Sequence, residues 1–300
     1  MNHTFRRYYL GAPMWANRDW LGTLFTRKAR SDDLLRQYAS VFNTVEGNST
    51  FYGLPSAETV VKWGDLVPDS FRFCFKFPRE VTHEGGVMQP PALAAADAFL
   101  ARLAPLAGRI GVLNIQLPPT FHGARVEELD VLLGWLPDTY RYAVEVRHAD
   151  FFDGETFEHA LNDLLRRRGV NRGLFNATVV HALPSHDPAV VSAQQKKPQM
   201  PDRYSVTADH PFLRFVGDPS VEANGVHIRP VADAVAGWVR EGKTPYVFLH
   251  TPGDVAVPEF GRFFHEQLRL RLDELEAMPP WPGELERLDD STAQLPLFDE

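Results

Sequence analysis

Short apolar runs rich in β-branched and aromatic residues alternate along this chain with longer stretches whose apolar positions recur at helical spacing. That alternation predicts successive βα units around a parallel sheet. Eight strands are expected, over residues 8–12, 44–48, 72–77, 110–116, 141–146, 173–176, 212–216 and 245–250. Between them, Leu34, Leu35, Tyr38, Ala39 and Phe42 line one helical face after Ser31, an expected N-cap. Phe157, Leu161, Leu164 and Leu165 do the same before Gly169, and residues 126–136, 231–241 and 260–275 are further expected helices. The implied fold class is α/β, a TIM-type (β/α)8 barrel over residues 1–277 with an irregular sixth βα unit, followed by a flexible acidic tail over 278–300. The irregular unit, residues 178–209, contains Pro184, Pro188, Pro198, Pro201 and the run Gln194-Gln195-Lys196-Lys197. It reads as a long loop holding one short helix, and a functional lid and a disordered insertion fit its length equally well.

Strand parity carries the functional signal, because alternate side chains of a strand face opposite sides of the sheet. Arg72, Cys74 and Lys76 share one parity; so do Ala143, Glu145 and Arg147, then Thr44, Glu46 and Asn48, then Tyr246, Phe248 and His250. Each series turns polar towards the strand's C-terminal end, where (β/α) barrels place their active sites. Gln116, Asn176 and Arg214 are expected to join them, and three cations at one mouth point to an anionic ligand. A structural reading stands beside the functional one: Glu145 with Arg147 or Lys76 is equally an ion pair that fills the barrel, and His250 equally a packed, hydrogen-bonded histidine. His83 lies in a loop beside Glu84-Gly85-Gly86.

Composition narrows the field. The 300 residues are 44% hydrophobic and 23% charged, enough for a large core and incompatible with wholesale disorder. The net charge of −8 argues against a general polyanion binder, although residues 271–300 hold nine of the acids and two of the bases and so carry most of it. Nucleic acid is therefore a partner that charge does not support. Arg166, Arg167, Arg168 and Arg172 form the one strong basic cluster, expected at a solvated helix end away from the mouth. The single cysteine, Cys74, fits a reducing compartment, no apolar run is long enough to cross a membrane, and a cytoplasmic protein is expected. Dinucleotide, phosphate-loop, nucleophile-elbow and His-Glu-x-x-His signatures are absent from the sequence, which leaves the cofactor unknown. No metal is expected, since the spacing of Glu46, Glu145, His148 and His250 does not by itself bring them together.

Four motifs in order, Thr44-Val45-Glu46-Gly47-Asn48-Ser49-Thr50-Phe51-Tyr52 with Pro55, Lys76 with Pro78 and Thr82-His83, Gln116-Leu117-Pro118-Pro119 with Phe121, and Ala143-Val144-Glu145-Val146-Arg147-His148, resemble domain-of-unknown-function family 72, the YecE-like family. The resemblance implies a TIM-type barrel with a polar cavity at the strand C-termini and no established reaction. It carries over most directly to Asn48, Ser49, Tyr52, Lys76, His83, Gln116, Glu145, Arg147 and Arg214. The stretches Arg214-Phe215-Val216-Gly217 and His250-Thr251-Pro252 depart from the family's pattern, so the substrate side is expected to differ.

The expected activity is that of a hydrolase, lyase or isomerase acting on a small anionic, sugar-like or nucleotide-like ligand. Glu145, Lys76, Arg147 and His83 are the catalytic candidates, with Glu145 as acid or base and Lys76 as a cation or a Schiff-base lysine. Glu46, Asn48, Ser49, Tyr52, Gln116, Asn176, Arg214 and His250 are the substrate-binding candidates. A second expectation concerns residues 294–298: Gln294, Leu295, Leu297 and Phe298 resemble the peptide by which bacterial repair proteins dock on the DNA sliding clamp. The chain would then be a clamp-tethered DNA-maintenance factor, the alternative being an apolar tail end that packs back on the barrel.

Overall fold

The computed structural model describes residues 7–84 and 86–293. Its strands are β1 (Tyr9–Gly11), β2 (Thr44–Gly47), β3 (Arg72–Phe75), β4 (Val112–Gln116), β5 (Arg141–Glu145), β6 (Asn171–Asn176), β7 (Phe212–Val216) and β8 (Tyr246–His250). Helices α1 (Ser31–Ala39), α2 (Ala57–Asp65), α3 (Arg79–Thr82), α4 (Pro90–Leu103), α5 (Val126–Trp135), α6 (Thr156–Arg167), α7 (Thr178–Ala182), α8 (Pro188–Lys196), α9 (Gly225–Arg240), α10 (Val257–Arg269) and α11 (Pro282–Ala293) fall between and after them. The αβ alternation follows the hydrophobic pattern closely. Gly169 ends the α6 turn with φ +62°, a conformation that costs a glycine little. Helix α1 is capped one residue earlier than expected: Asp33 folds back to accept from the Arg30 amide at 2.9 Å, which makes Ser31 its first residue. No helix of the described residues is long and apolar enough to cross a membrane.

The closed eight-stranded barrel is met only in part. Six strands form one curled parallel sheet in the order β1-β8-β7-β6-β5-β4, and β2 pairs with β3 in a separate two-stranded sheet. Side chains explain both interruptions. On the β2 side of β1, the Leu10 amide donates to Asn43 Oδ1 and the Ala12 amide to the Tyr38 hydroxyl, each at 2.7 Å, and the Tyr38 hydroxyl donates on to the Thr44 carbonyl. Donors that would have built a ladder are thus already satisfied. Between β3 and β4 the Val112 amide meets Cys74 Sγ at 3.2 Å, while Gly111 and Phe77 donate to Phe73 and Asn114 carbonyls at 2.8 and 2.9 Å. The seams are stitched rather than continuous.

Two apolar layers set the site's height. Inside the curl, Cys74, Val112, Ala143, Phe212, Tyr246 and Phe248 pack together below the strand ends. Outside it, the helices bury a much larger core that includes Val45, Phe73, Phe75, Leu113, Ile115, Val144, Leu213 and Val247. Charged groups can therefore converge only above the inner layer.

Three details differ from the sequence reading. The sixth unit holds two helices rather than one, because Gln194 Nε2 donates to the carbonyls of Val180 and Leu183 at 2.9 Å and binds α8 to α7. Arg172 is not part of a solvated cluster: it is 2% exposed, bonded to Glu158, Asn162 and the Phe151 carbonyl at 2.9, 2.8 and 2.6 Å. Helix α11 stands where a flexible tail was expected to begin, because Trp281, between two prolines, anchors it in the main core.

Candidate functional site

Cross-strand register decides which side chains meet. Glu46 on β2 is level with Cys74, Lys76 just past β3 with Asn114, Gln116 on β4 with Glu145 on β5, and Phe175 on β6 with Arg214 on β7. Level partners in a parallel pair share a face, so these groups line the interior above the apolar layer.

Arg214 is the hub. Its Nη1 donates to Glu145 Oε2 at 2.7 Å and its Nε lies 2.9 Å from Glu46 Oε1. Glu145 Oε1 accepts from Arg147 Nε and Nη2 at 2.9 and 2.8 Å, and Gln116 Oε1 accepts from Arg147 Nη2 at 2.7 Å and Lys76 Nζ at 3.0 Å. Glu46 Oε2 lies 3.1 Å from His250 Nε2. The Arg147 and Arg214 guanidiniums stand over the Phe175 ring, 5.7 and 5.2 Å from its centroid, and Lys76 Nζ is 5.1 Å from that of Phe51.

Burial and charge pull against each other here. Burial alone would raise both carboxyls, but Arg214 and its cationic neighbours outweigh it: Glu145 is lowered to about 2 and Glu46 lies well below the ordinary carboxylate range. For Lys76, burial and then Arg214 bring the ammonium down to about 8. Burial and the nearby cations lower His83 and His250 to about 4, which leaves both rings neutral at pH 7.

Most of the expected residues come together. Glu46, Lys76, Gln116, Glu145, Arg147, Arg214 and His250 form the cluster, and half-buried His83 sits at its rim against Phe51, ring centroids 5.0 Å apart. Asn48, Ser49 and Tyr52 do not enter it. They line an adjoining cavity of about 300 Å³ with Glu46, Pro13, Met14 and Trp15, and the Tyr52 side chain is 77% exposed. Asn48 Nδ2 donates to the Pro13 carbonyl at 3.2 Å, while its buried Oδ1 has no hydrogen-bond partner.

Asn176 requires a correction. Phe175, not Asn176, faces the interior from β6, and Asn176 points to the other side, donating to Asp202 Oδ2 at 2.9 Å and Tyr204 at 3.2 Å and accepting from Thr178. It pins the loop between β6 and β7. His148 also lies apart, 3.2 Å from Asp150. Gln294, Leu295, Leu297 and Phe298 fall outside the described residues.

Two members had not been singled out. Lys197, following α8, brings its Nζ to 3.5 Å from His250 Nδ1, and burial, then Arg214, lowers it to about 8. Only its place in a polar run hinted at a role. Asn114, buried beneath Gln116, leaves both side-chain polar atoms unpartnered. Its parity with Gln116 was the available signal.

Comparison with known proteins gives one consistent picture. The family model described as "Protein of unknown function DUF72" matches residues 9–284. The protein named UPF0759 protein YecE of Escherichia coli strain K12 is 39% identical over 274 residues, covering 91% of this chain and 97% of that protein. UPF0759 protein YunF of Bacillus subtilis is 26% identical over 164 residues, about half of each chain. Among solved structures, a DUF72 family protein from Thermotoga maritima has a TM-score of 0.67 at 23% identity, covering 90% of this chain and all of that one. One from Enterococcus faecalis has a TM-score of 0.69 at 20% identity, covering 91% and 99%. At these identities the two structures speak for the fold alone.

Proposed function

The chain belongs to the DUF72 family of proteins of unknown function, and within that family we propose that it is an enzyme binding an anionic, sugar-like or nucleotide-like ligand at the C-terminal mouth of its strands. The charge balance of the cluster carries this reading. Lys76, Arg147, Arg214 and Lys197 converge on two carboxylates, Glu46 and Glu145, so two guanidiniums are neutralised and two ammonium groups remain for a ligand. In this reading the two sheets serve as one barrel wall, because the six-stranded and the two-stranded sheet both supply ligand-facing groups.

Roles follow from the geometry. Glu145 accepts three bonds from two arginines and stays ionised, so it fixes Arg147 and Arg214 rather than moving protons. Lys76 and Arg147, joined through Gln116, take the ligand's negative charge beside the neutral ring of His83. The cavity beside Glu46 accepts the uncharged part of the ligand: Trp15 and Tyr52 supply aromatic lining, and Asn48 and Ser49 supply polar lining.

Ribose 5-phosphate and a nucleoside monophosphate at millimolar concentration are expected to raise the melting temperature, with ribose at the same concentration leaving it unchanged. Arg147→Gln keeps the Glu145–Arg214 pair and should weaken phosphate-ester affinity about 10- to 100-fold, the effect of one charge-assisted interaction. Equal shifts with ribose, or an unaltered affinity in the variant, would refute the assignment.

A further inference from the structure

The loop between β6 and β7 delivers one of the two ammonium groups left over by the charge balance, and its setting differs from that of Lys76. Lys197 is fixed from both sides: its amide donates to the Ala193 carbonyl at 2.9 Å, and its carbonyl lies 3.0 Å from His181 Nε2. Its Nζ is aimed at His250 Nδ1, 3.5 Å away, and the far nitrogen of that ring is 3.1 Å from Glu46 Oε2. We propose that Lys197 is the reactive amine of this site, a nucleophile towards the carbonyl carbon of an anionic aldehyde or ketone, with His250 as its base and Glu46 as the group that orients His250. The inference rests on the anionic-ligand reading above and names the substrate's reactive function.

The order carboxylate, imidazole, amine sets the tautomer. An ionised Glu46 only accepts, so the proton of the neutral ring sits on Nε2 and the Nδ1 lone pair faces the ammonium of Lys197. Ala193, whose carbonyl accepts from the Lys197 amide, and Val216, level with His250, belong to an apolar patch with Phe175, Ala177 and Val180, and burial disfavours the charged form of the amine. The repulsion that keeps His250 unprotonated comes in part from Lys197 itself and disappears once Lys197 releases its proton. Lys76 lacks this arrangement, because its Nζ donates to the amide oxygen of Gln116, which takes no proton.

The step balances without an outside reagent. Lys197 passes a proton to His250 Nδ1, and the freed Nζ lone pair attacks the carbonyl carbon. A C–N bond forms while the C=O π pair moves to oxygen. That oxygen takes a proton from the attacking nitrogen, and loss of water, assisted by the proton returned from His250, leaves a protonated imine on Lys197.

Pyridoxal 5′-phosphate, an aldehyde carrying a phosphate, is the probe, followed by borohydride reduction and peptide mapping of the full-length protein. Label is expected chiefly on Lys197, with a pH midpoint near 8, where Arg214, Glu46, Glu145, His250 and Asp254 all act on the ammonium and His181 on the adjoining carbonyl. Lys197→Met should remove that label. His250→Gln should slow labelling of Lys197 by at least about tenfold with the circular dichroism spectrum retained. Label chiefly on Lys76, or on exposed lysines such as Lys28 and Lys196, overturns the proposal, as does an unchanged rate in His250→Gln. Ribose 5-phosphate stabilisation of the same preparation separates the cases. If it persists, the anionic-ligand reading survives the loss of Lys197; if it is absent too, both fall.

Discussion

Arg214→Met should lower the unfolding free energy by about 3–5 kcal/mol at pH 7, the cost of leaving buried carboxylates without their counter-charge. Arg214 is the contact common to Glu46 and Glu145, and methionine fills much of its volume while supplying neither charge nor donor. Glu145 keeps Arg147, but Glu46 is left with a neutral His250. The pH dependence separates charge loss from a packing defect. In the parent protein Glu145 is lowered from 4.5 to about 2, so its contribution, about 3 kcal/mol, is present above pH 4.5 and lost as pH falls towards 2. In the variant, burial is opposed only by His250 and the charge of Lys76, and is expected to raise Glu46 above the ordinary carboxylate range. A raised carboxyl contributes stability below its unfolded value and loses it as pH rises, so the variant's deficit should shrink between pH 7 and pH 4. Urea unfolding at pH 7, 5.5 and 4 reads this directly. A deficit under about 1 kcal/mol at pH 7, or one that grows towards pH 4, would mean that Arg214 is not what keeps the carboxylates charged.

Ending the chain after residue 277 should cost at least as much as Trp281→Ala, about 3–5 kcal/mol for removing a buried aromatic side chain. Trp281 is 3% exposed and lies under the Arg262 guanidinium, 3.7 Å from its ring centroid. Arg262 binds both oxygens of Glu284 at 2.7 and 2.9 Å. Gly283 donates to the Leu24 carbonyl at 3.3 Å and lies so close to the backbone there that a Cβ would come within 2.3 Å of the Thr23 carbonyl oxygen. Helix α11 therefore closes the core near the turn after β1. Equilibrium unfolding of the truncated and full-length chains tests it, and matching midpoints would restore the boundary at 277 read from the sequence.

What the sequence disclosed, and what it hid, has a physical pattern. Local periodicity revealed all eight strands, since each is a short apolar run between turn residues, and parity grouped Glu46, Lys76, Glu145, Arg147 and His250, which do meet, while Arg214 was added from its strand by polarity alone. Asn176 misled because polarity near a strand's end was read as facing inward. The register that levels Phe175 with Arg214 places the aromatic ring inside, where two guanidiniums need a surface, and no local pattern encodes it. Lys197 was hidden because it reaches the cluster through tertiary packing, from a proline-rich loop 53 residues before His250. Continuity of the sheet was equally out of reach, as it depends on Asn43, Tyr38 and Cys74 intercepting backbone donors. The anchoring by Trp281 was hidden as well, because its partner Arg262 belongs to another helix.

The interrupted sheet also affects motion. Glu46 and Lys76 ride on the two-stranded sheet, whereas Gln116, Glu145, Arg214 and His250 belong to the six-stranded sheet or its ends. The bonds from Glu46 to Arg214 and from Lys76 to Gln116 therefore cross the seams, and breathing of either seam must part charged groups. An anion gripped from both sides would add its own tie across the gap and make such excursions rarer. The Glu46 and Phe77 amides, which donate across the two seams, are the places where occupancy would register as slower exchange with solvent deuterium.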